Sequence, residues 1–398
     1  MRWQVSPLWC KAMELFWLQT TQDGKGYVIF LLHYCCLLRW VRLSDFRYGV
    51  DLKIIRRGIF MSKIRIGHIG TKHDHSQDKM DCVRKFPELF EVVGIVEDDP
   101  IQREMIKYNP TYCDYPILTE EQLFNADCDC IMVEGFELDL PYVAKRCVEQ
   151  GIAVHIDKPA GQDLQVFEDT LRLAKKNQIP VQMAYMYRYN PAYLDCLQLI
   201  KEGRLGEIHS ISAVMNTGHP DQKREWLNHF DAGIMFFLGC HMVDFVYNIQ
   251  GTPEKITPYI KSSGIHGVES KDMATVIFEY KNGTSVIQSN SCEINGFGRR
   301  ELVVCGSEGT YEIHPLERPI GVKFTESSSA TPFYDKHTTR PIETVPIENR
   351  YDTMMLDFAK MVRGEKENTY TYEYELQLQK LVLAACGQDV DYKTKTML

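Results

Sequence analysis

Between Lys63 and about Met183, short apolar runs alternate with longer amphipathic stretches. The apolar runs predict strands over Ile64–Ile69, Val92–Val96, Cys130–Val133, Ala153–Ile156 and Val181–Ala184. The stretches between them predict helices over Gln77–Phe86, Ile101–Lys107, Glu120–Phe124, Pro141–Glu149 and Leu164–Lys176. Strand-helix alternation at this spacing implies right-handed crossovers and a doubly wound parallel sheet.

After Asn190-Pro191 the pattern changes. A helix over Ala192–Glu202 ends at Gly203, a strand over Ile208–Met215 follows, and Gly233–Asn248 reads as one amphipathic helix stopped by Gly251-Thr252-Pro253. Segments rich in β-branched and aromatic residues then predict strands at Thr257–Lys261, Ala274–Tyr280, Thr284–Ser289, Glu301–Val304 and Gly309–Ile313. Turn signals such as Lys281-Asn282-Gly283 between them point to a largely antiparallel sheet. The tail is helical again at Tyr351–Val362 and Tyr374–Cys386, and Ser327 to Pro332 reads as a surface loop. The expected fold class is α/β: a Rossmann-type parallel-sheet domain over 61–185, then an α+β domain with a large, mostly antiparallel sheet over 186–398.

Residues 1–60 stand apart. They hold four of the five tryptophans (Trp3, Trp9, Trp17, Trp40) and nine Lys/Arg against four Asp/Glu, leaving a net charge of -14 for the rest. The apolar run Tyr27–Leu38 is broken by His33 and is shorter than the roughly 18–20 residues that cross a bilayer. Arg56-Arg57-Gly58 can be encoded by a purine run resembling a ribosome-binding site ahead of the Met61 codon. Met61 is therefore the expected native start, with a membrane-surface segment or partner-binding arm as the rival readings.

Composition narrows the class. Of the 398 residues, 44% are hydrophobic and 25% charged, as in a water-soluble domain protein. A net charge of -9 argues against nucleic acid, whose phosphates require a basic surface. The thirteen cysteines have no repeated spacing, and neither Cys35-Cys36 nor Cys128-x-Cys130 has a second pair to complete a zinc site. Reduced cysteines in a cytoplasmic protein are the expectation.

The chemistry concentrates at strand ends, where open α/β sheets bind ligands. The first strand runs into Gly70-Thr71-Lys72-His73-Asp74-His75-Ser76, a strand-to-helix turn suited to a pyrophosphate. Only Gly70 fills a glycine position of the usual G-x-G-x-x-G; Lys72 and His75 replace the second and third. Lys72 can pair with phosphate. His73 and His75 read either as helix-capping groups or as metal ligands, and without partners elsewhere no metal is expected. Glu97 ends the second strand, where a carboxylate accepts ribose hydroxyls and repels a 2′-phosphate, favouring NAD over NADP. Asp157-Lys158-Pro159 follows the Ala153–Ile156 strand and puts an ammonium beside any cofactor bound there. His219, Trp226 and His229 can form a sugar-binding loop.

Together Asp157-Lys158-Pro159 and Gly239-Cys240-His241-Met242-Val243-Asp244 resemble the E-K-P and G-x-H-x-x-D motifs of the glucose–fructose oxidoreductase/inositol dehydrogenase (Gfo/Idh/MocA) family. Met186 to Pro191 and Gly203 to Ile208 look like its segment entering the second domain, so the likeness spans roughly Met61 to Leu398. The resemblance implies a nicotinamide cofactor on the first domain, contacted by Gly70, Thr71, Lys72, His73, Glu97, Glu134, Asp157 and Lys158. It further implies a sugar or polyol between the domains, and a large sheet that joins copies into a homo-oligomer. Carried over, Lys158 holds the reacting hydroxyl and His241 is the general base. Tyr187, Arg188 and Asp244 face the substrate with His219, Trp226 and His229.

Two positions depart from the family pattern. Its aspartate four residues before the histidine is Phe237, which leaves Asp231 or Asp244 to orient the imidazole, and its Thr-Pro after the fourth strand is Glu134-Gly135. The expected activity is NAD-dependent oxidation of a secondary ring hydroxyl of a sugar or glycoside, at C3, to a ketosugar. A redox-cycling glycosidase, a non-catalytic sugar or nucleotide sensor, and a metal-assisted enzyme using His73 and His75 are the alternatives.

Overall fold

The computed structural model describes residues 62–319, 321–328, 338–342 and 345–398, together with three short strands nearer the N-terminus. The chain divides into two units, Met1–Ser62 and Lys63–Leu398. The first contains an antiparallel sheet of Leu18–Thr20 (β1), Gly26–Ile29 (β2) and Trp40–Arg42 (β3). The expected start at Met61, the pair Cys35-Cys36 and most of the Ser327–Pro332 loop lie outside the described residues.

Lys63–Leu398 carries two sheets. The first consists of Ile64–Ile69 (β4), Phe90–Val96 (β5), Ile117–Leu118 (β6), Cys130–Val133 (β7), Ala153–Ile156 (β8) and Val181–Met183 (β9). All pair in parallel, in the order β6-β5-β4-β7-β8-β9. Parallel strands covered on both faces need apolar residues on both, and every residue of β7 and β8 is buried. The order reverses between β4 and β7, and that switch point is where such sheets take ligands.

The crossovers are Ser76–Arg84 (α1), Pro100–Ile106 (α2), Glu120–Phe124 (α3), Leu140–Glu149 (α4) and Leu164–Asn177 (α5). Their starts are written locally. Asp99 accepts the N–H groups of Ile101 and Gln102 at the head of α2, and Thr119 and Gln122 form a capping box on α3.

The second sheet has eight strands: Ile208–Val214 (β10), Lys255–Lys261 (β11), Met273–Tyr280 (β12), Gly283–Asn290 (β13), Glu301–Gly306 (β14), Gly309–Ile313 (β15), Val322–Glu326 (β16) and Thr338–Arg340 (β17). Its order is β11-β12-β13-β10-β14-β15-β16-β17, antiparallel except for β10 with β13. Tyr280 pairs with Gly283 across the expected two-residue turn. Helices Pro191–Lys201 (α6), Asp221–Trp226 (α7), Cys240–Gln250 (α8), Asp352–Val362 (α9) and Tyr372–Ala385 (α10) accompany it.

One expected element differs. The predicted helix over Gly233–Asn248 is a π-helical turn at Met235–Gly239 followed by α8. Among the described residues no helix is long and apolar enough to cross a membrane, and the cysteines there are all free.

Candidate active site

The loop after β4 is shaped by Gly70, whose φ of 82° is left-handed. A Cβ on Gly70 would lie 2.4 Å from the Gly135 Cα, so glycine alone lets the chain segments after β4 and β7 meet. Nothing lies within 4 Å of a Cβ built on Gly135, which leaves open space beside that contact. Thr71 ties the loop to β5: its N–H and hydroxyl donate to Glu97 Oε2 at 2.8 and 2.5 Å. The Asp99 N–H donates to Glu97 Oε1 at 3.0 Å. The buried Glu97 carboxylate is thus held by main-chain donors with acceptor capacity left on Oε1. Lys72 pairs with Asp99 at 2.7 Å and faces solvent. A close glycine turn with space beside it, a fixed carboxylate at the second strand's end and a nearby lysine fit a dinucleotide.

Beneath this loop lies a charged cluster. Lys79, inside α1 and fully buried, donates to Glu134 Oε1 at 2.8 Å and to Asp157 Oδ2 at 2.6 Å. His73 Nδ1 is 2.8 Å, and His75 Nδ1 3.5 Å, from the same Asp157 oxygen. His73 Nε2 donates to the Lys158 carbonyl at 3.2 Å. Burial opposes ionisation of Asp157, but the charges packed around it, Lys79 among them, outweigh it and hold its carboxyl well below the usual range. Burial pushes Glu134 the other way, well up, and its Oε2 has no partner. His75, at the third glycine position, turns to Asp157 and to the Tyr351 ring 5.6 Å away. Burial lowers its pKa to about 3.

Lys158 is also fully buried, preceding a cis proline. Its Nζ donates to the Phe237 carbonyl at 3.1 Å and stands 4.7 Å from that residue's ring centroid. Phe237 lies in the π-helical turn, an irregularity often found at functional sites. His241 follows four residues later on α8, 3% exposed and edge-on to Tyr187 and Tyr185 at 4.8 and 5.6 Å. Burial first, and then the Lys158 charge, hold the His241 pKa well below its ordinary value. Its Nδ1 has no hydrogen-bond partner. The His219 and His75 Nδ1 atoms and the Tyr351 hydroxyl are likewise buried and unpartnered. His75 reaches Asp157 at 3.5 Å and the Tyr351 ring at 5.6 Å, and His219 lies 6.2 Å from the ring of Phe237, whose carbonyl Lys158 bonds.

Aromatic residues close one side. Trp226 stands edge-on to Phe237 at 5.1 Å, with the Lys223 ammonium 3.5 Å above its ring. Phe136, from the loop after β7, stacks on Phe230 at 5.8 Å and meets the exposed His229 at 5.5 Å. On another side Arg300 donates to Glu317 Oε1 at 2.7 Å and to the Tyr187 hydroxyl at 3.0 Å, and that hydroxyl donates to Glu317. Burial raises the Glu317 pKa to about 7.

Two expected substrate contacts are corrected. Arg188 donates to both oxygens of Asp244, each at 2.9 Å, and to both oxygens of Glu375 at 2.6 and 3.0 Å. Tyr374 donates to Asp244 as well, and the guanidinium lies 3.7 Å from the Tyr370 ring centroid. With their polar atoms engaged and side chains 2% exposed, Arg188 and Asp244 hold helices together. Nor does Asp244 or Asp231 orient His241: Asp231 is exposed and bonds Gln388. The expectation that His73 and His75 lack a metal-ligating partner also changes, because Asp157 joins them. Sequence reasoning missed Lys79, Phe136, Arg300, Glu317 and Tyr351. None of them left a signal in the local pattern.

A Rossmann-like parallel sheet of six strands and a mostly antiparallel sheet of eight define the fold class. Residues 193–312 match the family model of the GFO/IDH/MocA C-terminal domain. Trans-1,2-dihydrobenzene-1,2-diol dehydrogenase of Xenopus laevis is 23% identical over 226 residues, 56% of this chain and 66% of that protein. Inositol 2-dehydrogenase 2 of Saccharopolyspora erythraea is 26% identical over 203 residues, 48% of this chain and 56% of that protein. The aligned stretch thus spans about two thirds or less of these relatives. The structure of an NAD binding oxidoreductase from Klebsiella pneumoniae superposes with a TM-score of 0.70 at 16% identity, covering 82% of this chain and 97% of that one. The chain thus carries a Gfo/Idh/MocA C-terminal domain over residues 193–312.

Proposed function

We propose that this protein is an NAD(P)-dependent dehydrogenase that oxidises a secondary ring hydroxyl of a polyhydroxylated substrate, a sugar or glycoside, to the ketone. One observation carries the reading: Lys158 is bonded to the turn four residues before His241, both are buried, and His219, His241 and Tyr351 each keep a buried polar atom without a partner among the described residues. Leaving such atoms unpaired costs about 1–3 kcal/mol each, and a ligand bearing several hydroxyls pairs them. A related diol dehydrogenase and inositol dehydrogenase support a cyclic polyol.

The dinucleotide, when bound, supplies the hydride acceptor. Lys158 has donors beyond the one given to Phe237 and stabilises negative charge growing on the substrate oxygen. His241, held neutral by burial, takes the hydroxyl proton at an imidazole nitrogen. Glu97 favours NAD over NADP, and Phe237 presents an aromatic face where relatives with a carboxylate bind a hydroxyl. A glycoside oxidised at C3 fits this mixture of apolar and polar walls. The same reading places the protein in the cytoplasm and joins copies through the outer face of the large sheet, where Tyr259 and Met273 are exposed.

The test is reduction of NAD or NADP across pyranosides, phenyl glycosides, inositols and cyclic trans-diols, with products identified by mass spectrometry. A ketone formed in step with reduced cofactor is expected. Free sugar released with sub-stoichiometric NAD would replace this reading by a redox-cycling glycosidase. Ligand binding without turnover would replace it by a sensor.

A further inference from the structure

We propose that His73, His75 and Asp157 bind one divalent transition-metal ion beside Lys158. One ligand atom from each, two imidazole nitrogens and a carboxylate oxygen, lie within 4.8 Å of one another. His73 Nδ1 and His75 Nδ1 approach Asp157 Oδ2 at 2.8 and 3.5 Å, near the roughly 3–3.5 Å between ligands of a tetrahedral ion with bonds of about 2.0–2.2 Å.

Three further observations favour an ion. His73 Nε2 faces the Lys158 carbonyl, which can only accept, so the hydrogen sits on Nε2 and Nδ1 carries a lone pair, which accepts the His75 N–H at 3.2 Å and lies 2.8 Å from Asp157 Oδ2. Ligating histidines are held this way, by donating their second nitrogen to a carbonyl or carboxylate. Secondly, His75 Nδ1 is buried, next to that oxygen, and makes no hydrogen bond. Thirdly, the His73 and His75 rings stand beside each other, their centroids 4.8 Å apart.

Lys79 sits on the same Asp157 oxygen and is the competitor. It also holds Glu134 Oε1, and Glu134 Oε2 has no partner, so Lys79 keeps a carboxylate when an ion takes Asp157. Two imidazoles with one carboxylate select Zn²⁺, Co²⁺ or Fe²⁺ over Mg²⁺ or Ca²⁺. Three protein ligands leave a position open for a water or a substrate oxygen. A role for the ion in orienting a second substrate hydroxyl rests on the dehydrogenase reading; the site itself does not.

The test strips the full-length protein with dipicolinate, titrates it with Co²⁺ and measures visible d–d absorption, with bound metal counted by mass spectrometry after desalting. One Co²⁺ per chain is expected, with the bands of a four- or five-coordinate ion and displacement by Zn²⁺. His75→Ala and Asp157→Asn should each weaken binding at least tenfold, and His75→Gln serves if either fails to fold by circular dichroism. His314→Ala, at an exposed histidine outside the cluster, should change nothing. Sub-stoichiometric Co²⁺ without d–d bands, or binding indifferent to His75→Ala, overturns the site and assigns a proton to the His73–Asp157 contact. NADH binding, followed by fluorescence in the same samples, separates failure of the metal site from failure of the dehydrogenase reading.

Discussion

The Lys158 ammonium is bonded to the main-chain oxygen of Phe237 across 3.1 Å, which latches the end of β8 to the turn that leads into the His241 helix. Where the family pattern has an aspartate, this protein offers a backbone carbonyl and an aromatic ring. The charge at the strand end is one of the causes, after burial, that lower the pKa of the imidazole four residues further on.

Lys158→Met keeps the length of the side chain and removes the charge. Turnover should fall by about 10²–10⁴-fold with cofactor affinity little changed. The Lys158 charge is one of the causes that lower the His241 pKa, so its loss should move the acid limb of the pH–rate profile to higher pH. A limb that stays in place would remove His241 as the base.

Glu97→Ser removes the carboxylate that closes the second strand. The ratio of NADH to NADPH affinity should shift towards NADPH by about tenfold, equivalent to about 1.4 kcal/mol, when both are titrated by fluorescence. An unchanged ratio would mean that Glu97 only anchors Thr71.

Arg188→Met leaves Asp244 and Glu375 buried without their cation. Breaking a buried pair in this way costs about 3–5 kcal/mol, visible as a lower urea midpoint, while KM of the folded fraction stays close to the parent value. Raised KM at full stability would return Arg188 to the substrate cleft.

Acid should destabilise the fold before its carboxylates protonate. Burial lowers the pKa of both His68 and His155 to about 3. The unfolded chain, with histidine near 6.5, binds more protons between those values. Stability is therefore full above pH about 6.5 and is lost as pH falls towards 3. Urea midpoints from pH 7.5 to 4.5 should decline, and less steeply in His155→Gln. A flat profile would show that both rings titrate in the fold as they do in the unfolded chain.

The parallel sheet was legible because β4, β7 and β8 are apolar runs bounded by turns, which periodicity reports directly. The two-residue β6 is too short to leave such a signal, and β16 and β17 lack the clear turn signals that framed their neighbours. Within the site, Lys158 and His241 stood out by motif. Arg188 and Asp244 were misread because the group that settles their role, Glu375, lies 187 residues from Arg188 in sequence. Lys79 has the spacing of an ordinary helix-surface lysine, and nothing local shows that two carboxylates wait beneath it. The π-helical turn, finally, has the composition of any apolar helix.

The stack of Phe136 on Phe230 joins a loop of the parallel-sheet domain to one preceding α8, with Trp226 against both. Separating those faces would return their apolar surface to water, so any motion that draws the two loops apart works against that burial.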